Sequence, residues 1–100
     1  MKINKNNYKD EILAATALLL SVSKADENID NNEIDLINNI ITDFFKVHHN
    51  DSADIINTSL NILNESTDIY EFGKILNESF TYDDKVDFIC CAFEVAYSDK

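Results

Sequence analysis

The chain has no proline, no tryptophan and a single glycine, Gly73. Tight hairpin turns rely on glycine and on residues that tolerate positive φ, so an all-β architecture has few places to turn. Basic residues are also scarce: eight lysines and arginines against nineteen acidic residues give a formal charge of −11 at pH 7. Such a charge repels phosphate backbones and anionic headgroups, which disfavours nucleic acid and bare membrane as partners. Cations or a basic protein surface are favoured instead.

Long apolar runs are missing as well. The longest candidate, Ile12 to Leu20, is too short to span a bilayer. Lys2, Lys5 and Lys9 precede it and Ser21-Val22-Ser23 follows it in the manner of a secretory signal, but Asp10 and Glu11 stand at its edge, where signal peptides avoid acids. The only cysteines, Cys90 and Cys91, are neighbours. On a helix adjacent side chains diverge, so a bridge between them would be strained; free thiols point to a reducing cytoplasm. No serine, cysteine or lysine stands in a nucleophile motif, and neither a glycine-rich phosphate loop nor zinc-ligand spacing occurs, so the expectation is a binding module rather than an enzyme.

What is present is helical periodicity over 100 residues, 45% of them hydrophobic, enough for a single domain with its own core. Five helices are expected. The first, about Tyr8 to Lys24, is apolar on nearly every side and should be central. The second opens at Asp30 as N-cap with Glu33 three residues on, and buries Ile34, Ile37, Ile41, Phe44 and Phe45. Val47-His48-His49-Asn50 breaks the pattern. Asp51 or Ser52 caps a third helix with Ile55, Ile56, Leu60 and Leu63 inward, closed by Asn64-Glu65-Ser66. Thr67 caps a fourth with Ile69, Phe72, Leu76 and Phe80 inward; Gly73 within it suggests a close helix contact. Thr81 and Asp84 cap a fifth, where Val86, Ile89, Phe93 and Ala96 are expected to face the core.

Much of the acidic charge falls in or beside helix first turns, where it favours the helix dipole. One local cluster stands out, the turn Ala25-Asp26-Glu27-Asn28-Ile29-Asp30. Asp26, Asn28 and Asp30 offer oxygen ligands at alternate positions, as at the start of a calcium loop, and Glu33 follows closely. An EF-hand would need glycine at its sixth position and glutamate at its twelfth, where Asn31 and Ile37 stand. Two readings stay open: a hard divalent cation held by the turn, or capping by Asp26, Asp30 and Glu33 with no metal. His48, His49 and Asp51 form a second, weaker candidate of the imidazole and carboxylate type.

An offset of 73 pairs Asp10 with Asp83, Leu13 with Val86, Leu20 with Phe93, Val22 with Val95 and Asp26 with Asp99. Both copies are an apolar helix entered through acids and left through a small residue and aspartate. Ser23-Lys24-Ala25-Asp26-Glu27-Asn28-Ile29 followed by Glu33, and Ala96-Tyr97-Ser98-Asp99-Lys100 at the other end, resemble the hallmark of the tellurite-resistance TerB-like family, which also includes a domain of membrane-anchored J-domain co-chaperones. Glu27 replaces the family's usual glycine.

The resemblance covers nearly all of the chain. It implies an all-α bundle of about five helices over residues 1–100, lacking the family's last helices. It also implies a negative patch shared by Asp26, Glu33 and Asp99; with Asn28 and Asp30, which the spacing of the turn supplies, these residues make up the expected site for a divalent cation such as calcium. The function implied is a cytoplasmic module of bacterial tellurite-type stress response that binds a cation or a basic protein partner. The alternative is a ligand-free regulatory interaction domain of a chaperone-like system. An incomplete bundle would leave apolar surface uncovered, which suggests a homodimer.

Overall fold

In a computed structural model, which describes residues 10–23, 31–65 and 69–97, the chain is built from α-helices, with no strand among the described residues. They are α1 (Asp10–Ser23), α2 (Asn31–Phe45), α3 (His49–Glu65), α4 (Ile69–Ser79) and α5 (Tyr82–Tyr97). The all-α class and the helix order agree with the periodicity.

α1 packs against each of the other four helices. It can do so because it lacks a polar face: Leu13, Ala14, Ala15, Ala17, Leu19 and Leu20 are all buried. Small alanines let neighbouring helices approach, and the leucines fill the spaces between them. Thr16 is buried too, and its hydroxyl donates to the carbonyl of Ile12 one turn back at 2.8 Å, which satisfies that group. A second buried hydroxyl, Ser59 Oγ of α3, reaches across to the Leu13 carbonyl at 3.4 Å.

α2 buries Ile37, Ile40 and Ile41, with Ile34, Phe44 and Phe45 partly covered against the same core. It stops at Phe45 because Lys46 takes φ of 58°, the left-handed conformation that ends many helices and that glycine adopts more readily. α3 starts earlier than Asp51. The His48 carbonyl accepts from the amides of Asp51 and Ser52, both at 3.0 Å, so the helix begins at His49. Ser52 is then buried with its hydroxyl on the His49 carbonyl at 2.8 Å. Of the expected inward residues of α3, Ile55 and Ile56 are buried and Leu60 and Leu63 partly so; Ile62 and Ser59 join them.

The chain turns from α4 to α5 through Phe80, whose amide still bonds the Leu76 carbonyl at 2.8 Å. The expected cap of α5 is formed: Asp84 N–H donates to Thr81 Oγ1 at 3.1 Å, and Thr81 N–H donates to Asp84 Oδ2 at 3.4 Å. The Phe80 ring lies among Phe44, Phe45 and Phe88 with centroids 5.5 to 6.1 Å away, tying α2, α5 and the end of α4 together.

Two expectations are corrected. Gly73 makes no close helix contact, since a Cβ there would meet nothing within 4 Å. The face of α5 is also reversed: Phe88 and Val95 are buried, whereas Val86, Ile89 and Phe93 are 42, 53 and 57% exposed and Ala96 is exposed. Both sets have helical spacing, so periodicity could not separate them. The aromatic cluster seats Phe88 inward, and α1 and α2 together cover only one side of the helix.

Candidate functional site

The acidic turn connects α1 to α2, and Asp26, Asn28 and Asp30 lie outside the described residues, as does Asp99. Ser23 and Glu33 bracket the turn. Ser23, the last residue of α1, is 2% exposed, and its hydroxyl finds no hydrogen-bond partner among the described residues. Glu33, in the first turn of α2, is 1% exposed and is the one carboxylate among the buried polar residues described. Carboxylates are almost never buried without compensation, because removing the charge from water costs several kcal/mol, on the order of the whole stability of a small domain. The N-terminal dipole of α2 supplies part of that compensation.

The position that an EF-hand would give to its bidentate glutamate is Ile37, which is wholly buried in the core. Any ligand set at this turn is therefore not that of an EF-hand. What the turn and Glu33 have in common is oxygen chemistry, suited to a hard cation. At the second candidate, His48, His49 and Asp51 are all exposed at the start of α3, and no group of three or more metal-ligating side chains is assembled among the described residues.

Cys90 and Cys91 are free thiols on α5, the first exposed and the second half-buried. Burial pushes the Cys91 thiol above its ordinary pKa, and the negative charge of Glu94, followed by those of Asp87 and Asp43, adds to the effect. A thiol held neutral in this way is a poor nucleophile and a poor ligand at neutral pH.

An α-helical module with a central apolar helix and a buried glutamate opening the second helix is the class these features define. The match to the family model described as tellurite resistance protein TerB extends over residues 12–100, and the chain belongs to that family. It is thus a tellurite-resistance-type helical module. No curated protein and no solved structure matches it. No helix among the described residues is long and apolar enough to cross a membrane.

Exposed aromatic and aliphatic side chains on α5 were missed by sequence reasoning. A signal was available, because α5 carries apolar residues on two faces and a peripheral helix buries only one.

Proposed function

We propose that this TerB-family module is a non-catalytic cytoplasmic protein that binds a divalent cation, calcium first, through the turn of Asp26, Asn28 and Asp30 together with Glu33 and Asp99. The observation that carries the proposal is the burial of Glu33 beside that turn. A carboxylate withdrawn from water at the start of a helix gains most from a neighbouring positive charge, and the residues before it contribute oxygen donors at alternate positions. The free thiols of α5 are in keeping with a reducing compartment.

Calcium titration of the full chain, followed by amide shifts and by thermal unfolding, tests the reading. Saturable shifts in the first turn of α2 are expected, with a rise in melting temperature that grows as ligand exceeds Kd, since binding to the folded state alone stabilises by RT ln(1 + [L]/Kd). Asp26→Asn and Glu33→Gln should each weaken binding by about tenfold or more. If neither calcium nor magnesium moves these amides at millimolar concentration, the turn is a cap and the proposal fails.

A further inference from the structure

α5 presents an apolar stripe to solvent that none of the other described helices covers. Val86, Ile89, Phe93 and Tyr97 lie within an arc of about 80° on the helix, taking 100° per residue, and all four are exposed. Phe93 and Tyr97 are already stacked on one another, with ring centroids 6.2 Å apart and planes inclined by 20°. Beside the stripe runs an open groove of about 310 Å³ between α1 and α5, walled by Leu18, Val22, Phe88, Ile89, Ala92 and Phe93. A second groove of about 320 Å³ on the α4 side includes Leu76, Phe80 and Ile89, so Ile89 stands as a ridge between two depressions. Alternating ridge and groove of this size suits the side chains of another helix.

The charge around the stripe selects the occupant. Asp83, Asp87 and Glu94 are exposed and fall within about 40° of each other on the flank next to Tyr97, by the same helical geometry. Lys85, the sole basic residue of α5, lies on the other flank, with its ammonium engaged by Asn77 Oδ1 at 2.6 Å. A second copy of the chain would bring a further formal charge of −11 and a further acidic ridge to the same surface. A membrane with anionic headgroups is opposed for the same reason.

We propose that this face of α5 docks an amphipathic helix of a protein partner, its apolar side lying over Ile89 and Phe93 and into the α1–α5 groove, and its lysine or arginine flank against Asp83, Asp87 and Glu94. The residues named for this face are different from those named for the cation site, so the two proposals are tested independently.

The probe is a synthetic 16-residue helical peptide, the length of α5, with leucine and phenylalanine on one side and lysines along one edge. It is compared with the same peptide carrying glutamates in place of the lysines. The lysine peptide is expected to shift amides of α5 and of Leu18 and Val22, and to bind about tenfold or more tightly than the glutamate peptide, with the difference shrinking as salt screens it. Ile89→Glu with Phe93→Glu should abolish binding, and Asp87→Lys with Glu94→Lys should transfer the preference to the glutamate peptide. Equal binding of both peptides, binding that survives the Ile89/Phe93 double variant, or no binding of the lysine peptide overturns the proposal. So does a dimer in sedimentation analysis, or capture on phosphatidylcholine vesicles, that the same double variant disrupts.

Discussion

Cys91 and Glu33 show how one residue's chemistry follows from where its helix places it. The two cysteines are adjacent in sequence, yet Cys90 is exposed and Cys91 half-buried, because successive helical positions point in different directions. Burial, and then the negative charges of Glu94, Asp87 and Asp43, favour the neutral thiol of Cys91 over its thiolate. At equal pH its alkylation by iodoacetamide in a Cys90→Ser background should be slower than that of Cys90 in a Cys91→Ser background, with its rate rising through a pKa above the ordinary 9.0. The linkage has a definite sign. Below the ordinary pKa both folded and unfolded chains hold the proton; as pH climbs past it the unfolded chain releases its proton first, so stability falls with rising pH through the folded pKa. Replacing Cys91 by serine should remove that part of the alkaline decline in urea titrations. Glu33 is the converse case, a carboxylate whose position three residues after Asp30 was legible in the sequence while its near-complete burial was not.

Among the elements, α4 is the one weakened by its own composition. Gly73 lies inside an eleven-residue helix, is exposed, and has open space where a Cβ would stand. Nothing in the packing requires it. Gly73→Ala should therefore raise stability by about 0.5–1 kcal/mol, by restricting the unfolded chain and favouring the helix. A denaturant midpoint that falls would show that the glycine serves a conformation or contact outside this helix. α5 illustrates the complementary limit of reading elements from spacing. Its cap, Thr81 with Asp84, was legible because capping is local chemistry between residues three apart. Its buried face was not, because Val86, Ile89, Phe93 and Ala96 repeat as helically as Phe88 and Val95 do.

For the whole molecule, the hub is α1, and the two halves of the sequence match are not equivalent. Leu13 is wholly buried and Val86, its counterpart at an offset of 73, is 42% exposed; Leu20 and Phe93 divide in the same way. Leu13→Ala should cost about 2–5 kcal/mol, the range for emptying a well-packed leucine site, a large part of the stability of a domain this size. Val86→Ala should change stability by no more than about 0.5 kcal/mol. Similar losses at the two positions, measured by urea unfolding, would mean that α5 is covered as fully as α1. The charge of −11 acts at this scale too, since a field of that sign attracts positively charged surfaces and repels negatively charged ones.

The helical class, the five segments, the centrality of α1 and the TerB resemblance followed from local signals: period, caps, an unbroken apolar helix and a motif of a few consecutive residues. These depend on interactions within a turn or two of the chain, which the order of residues specifies directly. The start of α3 at His49, the burial of Glu33 and the outward face of α5 depended on which helices reach which surfaces. α5 could turn either apolar face inward, and the packing of Phe88 with Phe44 and Phe80 settled the choice. Contacts among residues so far apart in the chain leave no periodic trace within any one helix, so only the folded arrangement could reveal the stripe of Ile89 and Phe93 at the surface.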